Sequence, residues 1–339
     1  MREQGARVTL NDVAAASGVS RATASFVLRD SPGQSISAAT RDRVREAARA
    51  LGYVPNGLAR ALREGTSRIV VLAIDPAMEG NYARSYIRGL DAELAAHEHV
   101  LLVRYTRGTV AGPDSRLADT KLADTRLADA ISPRAVLRFG EPYLTGRELD
   151  DSGGGRRDGL AAHVAAQVGY LADRGHARIA LALPAPDTPL RAVRQRFADQ
   201  AAAALGLPPL VPFVLPPARP GDAPGSARPA PPASPMTETG DALHALLAGD
   251  GGVTAVAAFD DDVALRVLAA MRPAGLSAPG DLAVIGFDDN GYGALSSPAL
   301  TTVHIDAETH GRLSARAILA LPADDLSPVP GKVVVRETA

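Results

Sequence analysis

The spacing of apolar positions changes near residue 67, and the change divides the chain into two kinds of structure. Ahead of it the pattern is helical. Thr9 followed by Asp12 is a capping-box-like start for a helix over about 10–17. Gly18 punctuates, Ser20 supplies an N-cap, and a second helix is predicted to about Leu28. Pro32 and Gly33 mark residues 30–35 as a loop. Ser37 caps a third helix to about Leu51, closed by Gly52, and Val44, Ala47, Ala48 and Leu51 give it one apolar face. After Ser67, β-type apolar runs alternate with amphipathic helices. RIVVLAID, a helix near 82–96 and VLLVRY come first, then AVLRF. Helices near 160–174, 190–205, 238–248 and 262–272 precede RIALALP, LVPFVL, TAVAAF and LAVIGF. This rhythm predicts parallel sheets with helices on both faces, and the body is too long for one such sheet, so two lobes are expected.

Two stretches break the rhythm. Residues 116–130 are a tandem pentapeptide, RLADT-KLADT-RLADA. A five-residue period turns about 500° on a helix, so Leu117, Leu122 and Leu127 cannot share a face. Residues 208–235 contain eleven Pro and read, after LVPFVL, as an extended Pro/Ala/Gly loop.

Charge sharpens the division. The 339 residues carry a formal net charge of −2, yet residues 1–68 hold eleven Arg against six acidic groups, +5, which leaves −7 for the rest. A basic end on an acidic body is the asymmetry of a nucleic-acid arm on a second domain. A hydrophobic content of 46% argues for a real core, and zero Cys excludes disulfides, Cys-ligated zinc and thiol catalysis. No apolar run approaches the ~18–20 residues of a membrane helix, and the first residues have no apolar export core, so a cytoplasmic location is expected.

The first two helices are spaced as a helix-turn-helix: small Ala14–Ala16 allow close packing and Gly18 makes the tight turn. The second helix then exposes Ser20, Arg21, Ala22, Thr23 and Ser25. An Arg can pair with guanine O6/N7, and small groups permit close approach or thymine-methyl contact in the major groove. An ordinary three-helix domain with Ser20 as a plain cap is the alternative.

The stretch VTLNDVAAASGVSRATASFVLRDSPGQSISAATRDRVREAARALGYVPNGLARALREGTSRIVVL resembles the N-terminus of LacI/GalR-type transcription regulators almost position by position. The shared features are the VT-x-x-DVA start, the GVS turn, the T-x-S recognition helix, the TR-x-RV third helix, LGY-x-PN and the ALR hinge. The resemblance implies that Ser20, Arg21 and Ala22 face base edges. It implies phosphate or capping contacts for Thr9, Ser20, Thr23, Ser25 and Asn56, and a hinge helix over residues 56–63. There Leu62 would be a minor-groove wedge, and Ala59 a small residue where two such helices touch. The chain departs from the family at Phe26, where many members carry Arg, at Arg29 in place of Asn and at Ala24 in place of Val.

The body resembles the same family's core, which is like a periplasmic sugar-binding protein, through VGYLADRGHARIALALP and above all AVIGFDDN and PALTTV. Ligands of open parallel sheets bind at the C-terminal strand ends. That position points to Asp75 after the first strand, to Asp260–Asp262 after TAVAAF and to Asp288–Asn290 after AVIGF. Capping by Asp260 or Asp261 would account for one of these. By resemblance, Asp261 matches an effector-contacting Asp and Phe197 an aromatic that stacks on the effector. Tyr82 and Arg191 are further candidates. The DN-x-x-GG stretch that carries an Arg in many members is replaced by GGGRRDG.

The resulting expectation is an α/β chain with a small all-α headpiece and a two-lobed, doubly wound core. Its boundaries are residues 1–53 for the headpiece, 54–66 for the hinge and 67–339 for the effector and dimerisation core. The first lobe is expected over about 67–150 and 281–304, the second over about 151–280 and 305–339. The function expected is that of a repressor-type regulator, a homodimer on a pseudo-palindromic double-stranded operator, answering to a sugar, nucleoside or related metabolite. No cofactor, metal or catalytic set is expected: GGGRRDG is not a dinucleotide fingerprint, His97 and His99 lack further ligands, and no nucleophile faces a base. VVVRETA carries no leucine heptad, so a tetramerisation helix is not expected. The rival readings are a transport-type solute-binding protein and an α/β enzyme.

Overall fold

A computed structural model describes residues 8–28, 35–53, 67–74, 78, 80–106, 131–140, 159–185, 189–216, 235–249 and 252–339. The expected hinge, the pentapeptide repeat and residues 217–234 of the Pro-rich stretch lie outside them. The chain separates into two compact units, one of residues 1–68 with 129–132 and the other of residues 69–128 and 133–339.

In the first unit, α1 (Leu10–Ser17), α2 (Arg21–Leu28) and α3 (Ala38–Ala50) enclose Val13, Ala14, Ala24, Val27, Val44 and Ala48. Local chemistry sets their ends. The Asp12 carboxylate accepts from the Thr9 N–H at 2.8 Å and its Oγ1 at 2.7 Å. Gly18 takes the left-handed conformation (φ 64°), which lets the Val19 N–H reach Ala14 O at 3.1 Å and turns the chain into α2. Ser37 caps α3 by accepting from the Thr40 N–H, and Arg43 Nε donates to Ser17 O at 3.0 Å, tying α3 to the end of α1.

The second unit holds two lobes. The first is a parallel sheet in the order β2-β1-β3, from β1 (Ile69–Ile74), β2 (Val100–Tyr105) and β3 (Ala135–Arg138). Helix α4 (Asn81–Ala96) packs Leu90 and Leu94 onto Val70 and Leu72. The second lobe is a parallel sheet β5-β4-β6-β7. Its strands are β4 (Ile179–Leu183), β5 (Val211–Val214), β6 (Ala255–Ala258) and β7 (Ala283–Ile285). Side chains alternate across it. Ile179, Leu181, Ala255, Ala257, Ala283 and Ile285 pack under α5 (Leu160–Asp173) and α6 (Pro189–Ala204). Ala180, Ala182, Val256, Ala258 and Val284 pack under α7 (Pro235–Ala248) and α8 (Asp261–Met271).

The last forty residues, to which the sequence pattern assigned little, cross between the lobes. Strand β8 (Thr302–His304) pairs antiparallel with β9 (Lys332–Val334). Between them α9 (Ala307–Leu319) packs on α4, bringing Ala315, Ile318 and Leu319 to the first lobe's core. This placement corrects the lobe boundaries expected from sequence: β7 belongs to the second sheet by its ladder with β6, and α9 belongs to the first lobe by its packing.

The α4–α9 crossing is close enough to require glycine. A Cβ on Gly311 would lie 2.1 Å from Tyr86 O and 2.7 Å from Leu90 N, and one on Gly89 would lie 1.8 Å from Glu308 O. These atoms are backbone and cannot swing away. Gly311→Ala should therefore force the helices apart and cost about 1–3 kcal/mol or more, seen as a lower urea midpoint. An unchanged midpoint would refute the close crossing. Beside it Arg316 Nε donates to the buried Glu93 carboxylate at 2.6 Å.

Candidate functional site

On the headpiece, Ala24 and Val27 anchor α2 in the core, and Arg21 and Ala22 are exposed on its other side. Thr23 and Ser25 are half-buried. Ser20 is the cap it was expected to be: its Oγ accepts from the Thr23 N–H at 3.0 Å and shares a hydrogen bond with Thr23 Oγ1 at 2.9 Å. Thr9 is held by Asp12. Asn56, Ala59 and Leu62 lie outside the described residues.

The core's polar residues converge at the C-terminal ends of β6 and β7. After β6, Asp260 caps α8 by accepting from the Val263 N–H at 2.7 Å. Asp261, next to it, is fully buried. Its Oδ1 accepts from the Phe287 N–H at 2.8 Å and from Thr302 Oγ1 at 2.5 Å, and its Oδ2 accepts from the Asn290 N–H at 2.7 Å. Asp261 thus joins the start of α8 to the loop after β7 and to β8. Burial pushes its carboxyl up to about 6 despite these three donors.

After β7, Asp288 and Asp289 both take positive φ, 87° and 46°, a conformation uncommon for non-glycine residues. The Asp288 carbonyl accepts from Asn81 Nδ2 at 2.7 Å and its Oδ2 from the Tyr82 N–H at 3.3 Å, so it meets the N-terminus of α4 from across the lobes. Its Oδ1 is buried without a hydrogen-bond partner. Burial first, then the neighbouring Asp261 and Asp260, raise its carboxyl well above the usual range. Asp289 is held by Arg336 Nη2 at 2.8 Å and faces His304 Nδ1 at 3.1 Å.

Facing these carboxylates is a residue that the sequence reading passed over. Arg194, on α6, is 2% exposed. Its Nη2 donates to Gln167 Oε1, Ala258 O and Phe259 O at 3.1–3.3 Å, while Nε and Nη1 are buried with no partner. The guanidinium lies 3.8 Å over the Phe287 ring and 5.7 Å from that of Phe259. Burial lowers it to about 9, against the pull of Asp260 and Asp288. Gln167 Nε2 in turn bridges Ala258 O and Gly286 O, each at 2.9 Å.

Other candidates fall differently. Tyr82 closes the site from the first lobe, its hydroxyl paired with His310 Nδ1 at 3.0 Å and its ring near Tyr86 and Phe139. Phe197 is 4% exposed and belongs to the core between α6 and the sheet. Arg191, one turn before Arg194, is half-buried. Asp75 lies outside the described residues. Among the described residues no acidic, His or Cys cluster suits a metal ion, and no helix is long and apolar enough to cross a membrane.

Residues 9–56 match the lacI family of bacterial regulatory proteins, and residues 168–339, half of the chain, match the periplasmic binding protein-like domain. The HTH-type transcriptional regulator CelR of Thermobifida fusca is 28% identical over 94% of this chain and 92% of its own length. The HTH-type transcriptional repressor CytR of Escherichia coli is 29% identical over 94% and 90%. Among solved structures, the lac repressor bound to ONPG in its repressed state superposes with a TM-score of 0.70 at 20% identity, covering 98% of this chain and 100% of that one. A CelR–cellobiose complex superposes with a TM-score of 0.56 at 22% identity, covering 98% and 100%. The chain belongs to the lacI family of bacterial regulatory proteins, with a helix-turn-helix DNA-binding headpiece ahead of a periplasmic binding protein-like core.

Proposed function

We propose that the protein is a repressor-type transcription regulator that binds a pseudo-palindromic operator as a homodimer and releases or grips it according to a small neutral effector held at the strand ends. The observation that carries this reading is the pairing, on one chain, of a basic helix-turn-helix unit with a buried polar site whose charged groups are incompletely partnered. Arg21 and Ala22 read base edges, with Ser20, Thr23, Ser25 and Thr9 as phosphate or capping contacts. The segment 54–66, with Asn56, Ala59 and Leu62, links the headpiece (1–53) to the core.

At the strand ends a ligand with a hydroxyl donor for Asp288 Oδ1 and an acceptor for Arg194 satisfies both groups. Asp260 and Asp288 act on one guanidinium, and Asp261 lies next to Asp288, a field that disfavours an anionic ligand and suits a sugar or nucleoside. CelR's complex with cellobiose supports the same class. The partly exposed ring of Phe259 takes the stacking role expected of Phe197, while Phe287, buried like Phe197, supports the Arg194 guanidinium from beneath. Asp261 acts beneath the ligand as the group that fixes the loop after β7. Operator binding implies a cytoplasmic location. The site works by binding alone, so the enzyme reading is set aside, and the headpiece argues against the transport reading.

The test is fluorescence anisotropy of the full-length protein on its own promoter and on random DNA across a salt series. Selective binding that weakens steeply with salt is expected. Arg21→Ala should lower operator affinity by about 1–3 kcal/mol and leave random-DNA affinity nearly unchanged. Equal losses on both, or no selectivity in the wild type, would overturn the reading.

A further inference from the structure

Phe26 is an apolar residue of α2 that the headpiece core does not use. The core cluster takes Ala24 and Val27 from this helix, and Leu28 packs against it, but Phe26 is absent from the cluster although it is the helix's largest apolar side chain. Helical geometry explains this. At 100° per residue Phe26 lies about 160° from Ala24 and only about 40° from Ala22, so it shares the outward face that carries exposed Ala22. It is partly exposed there, and none of the headpiece's other rings stacks on it among the described residues. The surrounding unit is strongly basic, eleven Arg against six acidic groups up to residue 68, so the surface that this apolar strip faces is polyanionic. Within a DNA major groove, the apolar feature that such a strip can meet is the thymine 5-methyl group.

Resting on the DNA-binding reading above, we infer that Ala22 and Phe26 form a two-residue apolar strip that selects thymines by their methyl groups. The two residues are separated by about 6 Å along the helix, close to two base-pair steps of about 3.4 Å. The half-site therefore carries two thymine methyls about two steps apart, one under each side chain. Phe26 is the specificity-determining residue for the inner one, and Arg21 supplies the polar contact beside them.

The experiment first selects an operator from random duplexes with the full-length protein. It then replaces each thymine of one half-site by uracil, which removes the methyl and no hydrogen-bonding group. Anisotropy should show a loss of about three- to fivefold at two thymines, the worth of burying one methyl each. In Phe26→Ala the sensitivity should vanish at one of them and persist at the other. Wild-type affinity indifferent to uracil at every position overturns the inference while leaving the regulator reading intact, and this arm needs no variant to fold. Unchanged uracil sensitivity in Phe26→Ala overturns the role of Phe26. A selection that enriches no sequence overturns the DNA-binding reading and this inference together.

Discussion

Asp261→Ala should unfold the second lobe at a markedly lower urea concentration than wild type, by about 2–5 kcal/mol at pH 7.5. Three buried donors end on this carboxylate: the N–H groups of Phe287 and Asn290 and the hydroxyl of Thr302. Each buried donor left without a partner costs about 1–3 kcal/mol. The loss is partly offset because the carboxylate itself is held against its burial: a rise from 3.8 to about 6 corresponds to about 3 kcal/mol of relief when the charge is removed. The same shift sets the pH dependence. The folded state keeps the Asp261 proton between about pH 4 and 6, where the unfolded chain has released it, so this group's contribution to stability falls as pH rises through that window and is level above it. The gap between wild type and Asp261→Ala should therefore widen as pH falls from 7.5 to 4.5. Two urea curves with equal midpoints, or a gap that narrows on acidification, would remove Asp261 from the centre of this loop.

That position illustrates what the sequence does and does not expose. The headpiece is legible because short-range chemistry sets it. Ser20, Ser37 and the Thr9–Asp12 pair cap within three residues, and Gly18 turns in place. The alternation of strands and helices in the body is legible for the same reason: period and burial are local properties. The role of Asp261 depends instead on Phe287, Asn290 and Thr302, 26 to 41 positions away, and spacing marks only that an Asp follows a strand. The lobe crossing is hidden in the same way, since β7 and α9 are assigned by what they pair with and not by their own pattern.

Arg194 is only half legible in the sequence. Val193, Phe197, Ala198 and Ala202 define the buried stripe of α6. At 100° per residue Arg194 falls about 100° from Val193, between Phe197 and Ala198, and Arg191 falls at about 160°, between Ala198 and Ala202. Helical position marks both arginines as lying on an apolar stripe; what separates them is the packing of Arg194 against Gln167 and Phe287, which are distant in sequence.

Arg194→Met should accordingly abolish the effector response while leaving operator binding by the unliganded protein within about threefold of wild type. Methionine keeps much of the aliphatic stem and removes the charge. Nη2 is the part of the guanidinium engaged with protein acceptors; Nε and Nη1, buried without partners, are the groups a ligand would engage. A hydrogen bond to a charged group is worth about 1.5–3 kcal/mol, so losing two weakens the effector by at least about a hundredfold. Asp288→Asn is the companion change. It keeps the shape, and its one amide oxygen can still accept from the Tyr82 N–H; the NH2 then takes the Oδ1 position, so the ligand hydroxyl loses its charged acceptor and must turn to accept instead, a smaller loss of about tenfold. The ligand used is whichever small molecule raises the wild-type melting temperature, because binding to the folded state alone produces that rise. Linkage then makes the result doubly checkable: a ligand that binds a hundredfold less tightly, in every state of the protein, can be measured directly by calorimetry and indirectly by the higher concentration needed to shift operator affinity, and the two displacements must agree. A full response of Arg194→Met at the wild-type effector concentration would show that the ligand is held elsewhere.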